Sequence, residues 1–276
     1  MLTNHQQIIF QAQKNGYAIG CFNTSDLEIT KAIISAAEKQ NSPVIIATTP
    51  KAIEYAGLET LAGLVKQIAK SSKVPVALHL DHGKNIEIIQ QCLELGYQSV
   101  MIDGSDKPLE ENIRLTAEAV EIAHQHKAIC EGELGHLGKA GTNQDQLTNP
   151  DDVADFVSKT KVDLLAVSIG SKHGIEVNES LNIALLKKIR TETNVPLVLH
   201  GASGVSDNDI SQAIANGICK INIDTDIRHT FSKSIRQILA KYPQEEDFRK
   251  ILSQVMFDIQ RLVEEKIKLF GSNNKI

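Results

Sequence analysis

Short apolar runs alternate with longer amphipathic stretches along almost the whole chain, and this alternation limits the folds available to it. Several runs, such as VIIA and LLAV, are unbroken, which is typical of parallel strands covered on both faces. Eight strands are predicted: Tyr17–Phe22, Pro43–Thr48, Pro75–Leu80, Ser99–Ile102, Ala128–Glu133, Asp163–Ser168, Pro196–His200 and Cys219–Asn222. Stretches with helical periodicity separate them, so eight right-handed βαβ units can close on themselves. We therefore predict an α/β protein with a (β/α)8 TIM barrel.

The competing architecture is the doubly wound open sheet, which needs a glycine-rich turn after its first strand. That turn here reads FNTSDLE and contains no GxGxxG motif, so the barrel is favoured. An extra helix is predicted before the barrel, over Asn4–Lys14, and a helical extension after it, over Gln244–Leu269. Because no linker or low-complexity tract interrupts the pattern, we expect residues 1–276 to form a single domain.

Charge and cysteine content exclude several classes of protein. The 276 residues carry 29 basic and 34 acidic side chains, a formal net charge of −5. This acidity argues against nucleic-acid or anionic-membrane partners, and no apolar run reaches the ~18 residues of a membrane span. The four cysteines lie far apart and form no CxxC pair, which suits reduced, buried thiols. These features predict a soluble cytoplasmic protein.

Acidic and imidazole side chains follow six of the predicted strands. The segments read HLDHG, IDGS, EGELG, SKHG, HGASG and NIDTD in chain order. In a parallel barrel the carboxyl ends of the strands form one mouth, which is where barrel enzymes place their active sites. We therefore expect a catalytic site at this mouth.

Three of the histidines point to a metal. His82, His173 and His200 each follow a different strand and precede a glycine. A single histidine after a strand is more often a hydrogen-bonded rim residue, but three neutral imidazoles with an open fourth position form a common catalytic zinc site. His79 is more simply a residue that orients the site. Four histidines on polar helical stretches are expected to be solvated: His5, His124, His126 and His229.

Acidic residues accompany these histidines at the predicted mouth. Asp81 and His82 are neighbours, so on a regular strand they would face opposite ways, and only a strand end lets both serve one site. Asp103 and Glu133 have three interpretations: carboxylates that hold imidazole N–H groups, ligands of a second metal position, or simple N-caps and rim charges. The residues alone leave these three open.

The segments after the seventh and eighth strands have the composition of a phosphate clamp. GASG (201–204) supplies glycines, a hydroxyl and backbone N–H groups, while NIDT (222–225) supplies an amide, a hydroxyl and an N-cap for the next helix. Barrel enzymes frequently bind phosphate in these two loops, at the N-terminus of a helix. A phosphate-bearing ligand is therefore expected there.

The motifs HLDHG, IDGS, EGELG, SKHG, LHGASG and KINIDTD, in this order and spacing, resemble those of the class II, metal-dependent fructose-bisphosphate and tagatose-bisphosphate aldolases. The resemblance runs from AIGCFN near Ala18 to the tail KIKLFGSNNKI. It implies a carbon–carbon lyase that reversibly cleaves a ketose 1,6-bisphosphate, first of all fructose 1,6-bisphosphate, into dihydroxyacetone phosphate and glyceraldehyde 3-phosphate. It also implies a homodimer or homotetramer that acts in carbohydrate metabolism, with glycolysis as the setting.

The resemblance assigns roles by matching position. His82, His173 and His200 look like the three catalytic zinc ligands. Asp81 looks like the acid that donates a proton to the aldehyde oxygen during cleavage of the carbon–carbon bond, or accepts it on the reverse path.

Further matches concern a second ion and the substrate. Asp103 and Glu133 match residues that hold an alternative or second metal position. Eight residues match the dihydroxyacetone-phosphate site: Gly174, Gly201, Ala202, Ser203, Asn222, Ile223, Asp224 and Thr225. Family members often also need a monovalent cation near that phosphate.

The loop after the fifth predicted strand departs from the family. Family members usually carry adjacent acidic residues there, one of which moves the carbon-bound proton of the substrate. Here the loop reads HLGKAGTNQDQLTNP, and Asp145 is its only carboxylate and the candidate base. The change leaves tagatose 1,6-bisphosphate or another sugar phosphate as alternative substrates, although Asp224 is typical of fructose-type members. A non-catalytic member that binds sugar phosphate is the second alternative.

Overall fold

A closed barrel of eight parallel strands forms the centre of the protein, as the sequence predicts. The computed structural model describes residues 5–138, 146–172, 174 and 180–276. The strands follow the chain order around the barrel, and β1 pairs with β8 to close it. They are β1 Ile19–Asn23, β2 Val44–Thr48, β3 Val76–Gly83, β4 Ser99–Ile102, β5 Ile129–Leu134, β6 Leu164–Val167, β7 Leu197–Leu199 and β8 Ile218–Ile223.

Helices connect and surround these strands. They are α1 His5–Asn15, α2 Leu27–Lys39, α3 Pro50–Ala56, α4 Leu58–Lys70, α5 Ile86–Glu94, α6 Leu109–Gln125, α7 Pro150–Thr160, α8 Ile183–Glu192, α9 Asp207–Ala215, α10 Thr225–Lys241 and α11 Phe248–Leu269. The segment between β2 and β3 forms two helices, α3 and α4. Gly57 lies between them with φ +86°, a left-handed conformation that ends α3.

Two apolar layers hold the barrel. The larger lies between strands and helices, and the outward-facing Ile221 and Ile223 of β8 belong to it. The smaller fills the barrel interior, where side chains such as Ile19 and Ile45 pack with Ile8 and Ile9 of α1. Since α1 precedes β1, it closes the end of the barrel opposite the mouth.

The expectation that His5 is solvated is wrong. Its side chain is 1% exposed, and its ring lies edge-on to that of His79, with 5.7 Å between the ring centroids. Neither ring nitrogen of His5 has a hydrogen-bond partner among the described residues. His5 is the first residue of α1, and this end of the helix lies against the barrel. The polar sequence of α1 therefore gave no sign that His5 is buried.

The C-terminal extension packs on the outside of the barrel. α11 lies against α2 and α10, and it buries Val255, Ile259, Val263 and Ile267. Among the helices of the described ranges, none has the length and apolar character that crossing a membrane requires.

Candidate active site

An irregularity in β3 brings two neighbouring side chains to the mouth together. Leu80 pairs with Val100, but the next aligned pair is Gly83 with Ile102, so β3 carries one additional residue. The strand accommodates this additional residue at His82, whose backbone is left-handed with φ +53°, a conformation that is rare for residues other than glycine. Asp81 and His82 therefore both reach the site instead of facing opposite sides of the sheet.

Two imidazoles face one another at the mouth. Nε2 of His82 lies 3.1 Å from Nδ1 of His200, and the ring centroids are 4.7 Å apart. A carboxylate contacts the other nitrogen of each ring: Asp103 lies 3.0 Å from Nδ1 of His82, and Glu131 lies 2.7 Å from Nε2 of His200. Such carboxylates orient imidazoles and direct the opposite nitrogen at a shared ligand.

Asp81 lies beside this pair and is held by two amides. Asn23 donates to its Oδ2 at 2.8 Å, and Asn222 donates to its Oδ1 at 2.9 Å. Oδ1 is also 3.9 Å from Nε2 of His82 and 3.8 Å from Nδ1 of His200. Burial alone would raise the pKa of Asp81, but the neighbouring imidazoles lower it to about 2. Asp81 is therefore an ionised carboxylate.

Asp81 and Asp103 produce a negative field around His82, and the carboxyl group of Glu133 lies 3.8 Å from its Nδ1. Burial would lower the pKa of His82, but Asp81 and Asp103 raise it to about 9. Burial and the nearby Asp103 raise the pKa of Glu133 to about 8. Oε2 of Glu133 is buried without a hydrogen-bond partner among the described residues. The field favours a cation at this position.

The donor set fits a divalent metal ion. Two groups of three residues bring one ligand atom each to within 4.8 Å of one another: Asp81, His82 and His200, and His82, Asp103 and Glu133. Imidazole nitrogen and carboxylate oxygen are ligands that Zn²⁺ accepts, and the unpartnered oxygen of Glu133 is a donor left over by the protein itself. His173, the third predicted histidine ligand, lies outside the described residues.

Below the imidazoles, a buried ion pair fills the barrel. Lys220 donates from Nζ to Oε2 of Glu131 at 2.8 Å, and both side chains are fully buried. Burial would raise the pKa of Glu131, but Lys220 and the hydrogen bond from His200 hold it well below its usual value. Burial would lower the pKa of Lys220, and its neighbours Cys21 and Glu131 raise it instead. The pair is therefore charged, and each ion compensates the charge of the other.

The predicted substrate residues converge on one cavity of ≈ 330 Å³ beside the imidazoles. Six of the eight line it: Gly174, Gly201, Ser203, Asn222, Asp224 and Thr225. Ala202 and Ile223 do not line it, and each of these residues is only 1% exposed. Gly201 has φ +66°, and a Cβ there would lie 2.5 Å from the carbonyl oxygen of Lys172. Glycine is thus required where β7 turns into the cavity.

Comparison with known proteins identifies the family. The model of the family described as "Fructose-bisphosphate aldolase class-II" matches residues 3–275. The chain belongs to this family of class II aldolases.

Relatives of the family with assigned names are similar over their whole length. The chain is 38% identical to the fructose-bisphosphate aldolase of Geobacillus stearothermophilus, over 99% of this chain and 98% of that protein. It is 35% identical to the D-tagatose-1,6-bisphosphate aldolase subunit GatY of Klebsiella oxytoca, over 100% and 99%. Among solved structures, the YdjI aldolase from Escherichia coli K12 has a TM-score of 0.90 at 38% identity and covers 100% of this chain and 99% of its own.

Three residues of this class II aldolase site escaped the sequence analysis: Asn23, Glu131 and Lys220. Asn23 is the last residue of β1 and follows the apolar run of that strand. Lys220 and Asn222 alternate with isoleucines in β8, and Glu131 and Glu133 alternate in β5. Charged residues at alternate positions of a barrel strand face the interior and need partners there, and this signal was available in the sequence. Asp145, the candidate base, lies outside the described residues.

Proposed function

We propose that this class II aldolase is a zinc enzyme that cleaves a ketose 1,6-bisphosphate into dihydroxyacetone phosphate and glyceraldehyde 3-phosphate, with fructose 1,6-bisphosphate as the main substrate. The observation that carries the proposal is the ionised carboxylate of Asp81 within 4 Å of two facing imidazole nitrogens, on His82 and His200. This arrangement combines a proton-transfer group with donors for a Lewis-acidic ion in one mouth.

The metal position follows from the facing imidazoles. We assign His82 and His200, with His173, as the ligands of Zn²⁺, and Asp103 and Glu133 as donors of an alternative position that shares His82. Bound there, Zn²⁺ supplies Lewis-acid stabilisation of the negative charge left on the substrate oxygens when the carbon–carbon bond breaks. Asp103 and Glu131 hold the two imidazoles in the orientation that exposes one nitrogen of each.

Asp81 moves the proton of the substrate hydroxyl. Carbon–carbon cleavage turns that hydroxyl into an aldehyde, so the hydroxyl must lose a proton to a base. Asp81 is ionised and both its oxygens are fixed by amide donors, so it accepts the proton during cleavage and returns it to the aldehyde oxygen on the reverse path. This assignment reverses the direction expected from the resemblance, because cleavage removes a proton from the hydroxyl and only the reverse path adds one to the aldehyde oxygen.

The phosphate of the dihydroxyacetone half is assigned to the cavity lined by Gly201, Ser203 and Thr225. Lys51 and Arg228 line the same cavity and supply positive charge, while the N-terminus of α10 adds backbone N–H groups. A monovalent cation beside the phosphate is part of the proposal, since Asp224 borders the cavity with a carboxylate.

Tagatose 1,6-bisphosphate is the alternative substrate, because relatives with both names are similar along the full chain. Fructose and tagatose bisphosphates differ at the carbon whose hydroxyl Asp81 would deprotonate. The deciding experiment is a coupled assay of dihydroxyacetone phosphate release from both bisphosphates and from fructose 1-phosphate, with the Asp81→Ala variant as the control for contaminating aldolase. We expect the highest kcat/KM with fructose 1,6-bisphosphate. Absence of release from every ketose phosphate would contradict the aldolase assignment.

The proposal extends to the assembly, the location and the metabolic role of the enzyme. We propose a homodimer or homotetramer in the cytoplasm that acts in carbohydrate metabolism as a single-domain enzyme over residues 1–276. Two phenylalanines of α11, Phe248 and Phe257, are 65% and 51% exposed, as subunit-facing residues are in an isolated chain. Light scattering coupled to gel filtration measures the mass of the assembly directly.

A further inference from the structure

Lys220 occupies the centre of a hydrogen-bonded chain inside the barrel. Its side chain is fully buried, and Nζ donates to two acceptors, Oε2 of Glu131 at 2.8 Å and Oδ1 of Asn222 at 2.7 Å. The register of β7 with β8 shifts at this point, since Val198 pairs with Lys220 while the preceding residue, Leu197, pairs with Ile218. Beyond the shift, Lys220 and Asn222 are two positions apart and so share the interior face of β8, while Ile221 and Ile223 face the helices.

One branch of the chain leads to a proposed metal ligand. Glu131 uses Oε2 for Lys220 and Oε1 for His200, whose Nε2 lies 2.7 Å away. A carboxylate only accepts, so this nitrogen of His200 carries the proton and Nδ1 is left as the lone-pair donor. Nδ1 is the atom that faces His82. Lys220 thus holds the carboxylate of Glu131 in place, and Glu131 in turn determines the tautomer of His200.

The other branch leads to the proton-transfer group. An asparagine side chain has an acceptor at one end and a donor at the other, so fixing one end fixes both. Lys220 can only donate, and it therefore holds the oxygen of Asn222 and turns the NH₂ group towards Asp81. With the amide reversed, an oxygen would face the carboxylate of Asp81, and one of its two amide donors would be lost.

We propose that Lys220 is a positioning residue that orients both halves of the catalytic apparatus, the imidazole of His200 through Glu131 and the carboxylate of Asp81 through Asn222. Lys220 does not line the cavity proposed for the substrate, and a charged ammonium group has no lone pair for a metal ion. The inference rests on the proposed aldolase function, and the comparison of variants with the wild-type enzyme keeps the two separate. If wild-type protein releases no dihydroxyacetone phosphate, the function fails; if it does, the variants test Lys220.

The competing role of Lys220 is structural. A buried carboxylate needs a counter-charge, and removing Lys220 leaves Glu131 uncompensated, which destabilises the fold. If this role is the only one, removing Lys220 lowers the stability and the activity, and removing the Glu131 charge as well restores both. If Lys220 is a positioning residue, turnover stays low when the Glu131 charge is also removed, because Asn222 still lacks the donor that orients its amide.

The experiment therefore uses four variants: Lys220→Met, Lys220→Met/Glu131→Gln, Asn222→Ala and Lys220→Met/Asn222→Ala. Methionine keeps the unbranched shape of lysine without its donor, and glutamine keeps an acceptor for His200 without the charge. The measurements are kcat, KM, thermal unfolding and Zn²⁺ affinity by competition with a chelator.

Positioning predicts that Lys220→Met lowers kcat at least ~10-fold with KM changed less than ~3-fold, and weakens Zn²⁺ binding about 10-fold, the low end for removing an outer partner of a ligand. Lys220→Met/Glu131→Gln should recover the unfolding temperature and keep the low kcat. In the Asn222→Ala background, Lys220→Met should lower kcat by a smaller factor than in the wild type, because the branch through Asn222 is already lost and only the branch through Glu131 remains.

Two results would overturn the proposal. One is wild-type kcat in Lys220→Met/Glu131→Gln, which would make Lys220 a counter-charge only. The other is a loss of kcat in Lys220→Met/Asn222→Ala equal to the product of the single losses. If Lys220→Met does not fold, the variant without the Glu131 charge provides the same comparison of kcat.

Discussion

Asn222 donates its side-chain amide to Asp81, with 2.9 Å between Nδ2 and Oδ1, although 141 positions separate the two residues in the chain. The amide thus holds the carboxylate that we propose exchanges a proton with the substrate, while the same side chain borders the cavity proposed for the phosphate. Asn222 therefore lies between the proposed proton-transfer group and the cavity proposed for the phosphate. Replacing it is expected to affect both turnover and phosphate binding.

The metal assignment predicts that chelators abolish activity and that divalent ions restore it, because a strong chelator competes with the imidazoles for the ion and removes it. His200→Ala should fold, bind little Zn²⁺ and lack activity. His229→Ala, at an exposed histidine of α10, is the matched control and should keep its metal. Metal content by mass spectrometry and the far-ultraviolet circular dichroism spectrum provide the check. Full activity at negligible metal content would exclude the zinc mechanism.

Asp81→Ala should lower kcat by ~10²–10⁴, the usual contribution of a positioned proton-transfer group, while binding of dihydroxyacetone phosphate survives. Steady-state kinetics and calorimetric binding separate the two effects. Asp207→Ala, at an exposed acid of α9, should change neither. An increase in KM at constant kcat would assign Asp81 to binding instead.

Gly201→Ala tests the close approach of the backbone at the cavity. The substitution places a Cβ 2.5 Å from the Lys172 carbonyl oxygen in a backbone with φ +66°. Gly16→Ala is a control with the same backbone strain, φ +65°, and no atom within 4 Å of the new Cβ. The strain alone costs about 1–2 kcal/mol. We expect Gly201→Ala to destabilise the protein in urea by more than Gly16→Ala and to raise KM as well; equal effects would show that the contact with Lys172 relaxes freely.

His5 makes the fold sensitive to acid. Burial, with the nearby His79 and Lys220, lowers the pKa of His5 well below its ordinary 6.5. At acidic pH the unfolded chain therefore binds a proton at His5 that the folded chain does not bind. The contribution of His5 to the free energy of unfolding is complete above pH ~6.5 and declines by about 1.4 kcal/mol per pH unit as the pH falls below that value. Urea unfolding between pH 7 and pH 4 should show a shallower decline for His5→Leu. His229→Leu, at an exposed site, should follow the wild type, and parallel curves for all three proteins would show that His5 is protonated when folded.

Asp145 is the candidate base for the carbon-bound proton of dihydroxyacetone phosphate. Exchange of that proton with solvent isolates the base from bond cleavage. Asp145→Ala should slow the exchange by at least ~100-fold if the carboxylate is the base. The neighbouring Gln144→Ala should exchange at the wild-type rate. Unchanged exchange in Asp145→Ala would transfer the role to Asp81, Glu133 or a metal-bound water.

The barrel could be predicted because its signals are local. Apolar runs of strand length, helical periodicity between them and the missing GxGxxG turn are each read within a short window, and the observed strands agree with the predicted ones to within three residues at each end. The position of His5 could not be predicted in this way. Its burial depends on how α1 sits on the end of the closed barrel, which no window of α1 contains.

The sequence could predict which side chains near the carboxyl ends of strands converge on the mouth, but it could not predict the contacts of side chains deeper in the barrel. His82 and His200 appear as expected because the carboxyl ends of parallel strands converge. Glu131 and Lys220 lie deeper, and their partnership depends on which strands face each other across the barrel. The irregular pairing of β3 also could not be foreseen, since the sequence HLDHG states only that Asp81 and His82 are adjacent.

That irregular pairing limits how this chemistry can be transferred to another protein. A designed barrel with evenly paired strands would present either Asp81 or His82 at its rim, however faithfully the other side chains were copied. A graft must carry the segment from Leu80 to Gly83 with its additional residue and the left-handed backbone of His82. Engineers who transplant this site should therefore copy a length of main chain first and select side chains afterwards.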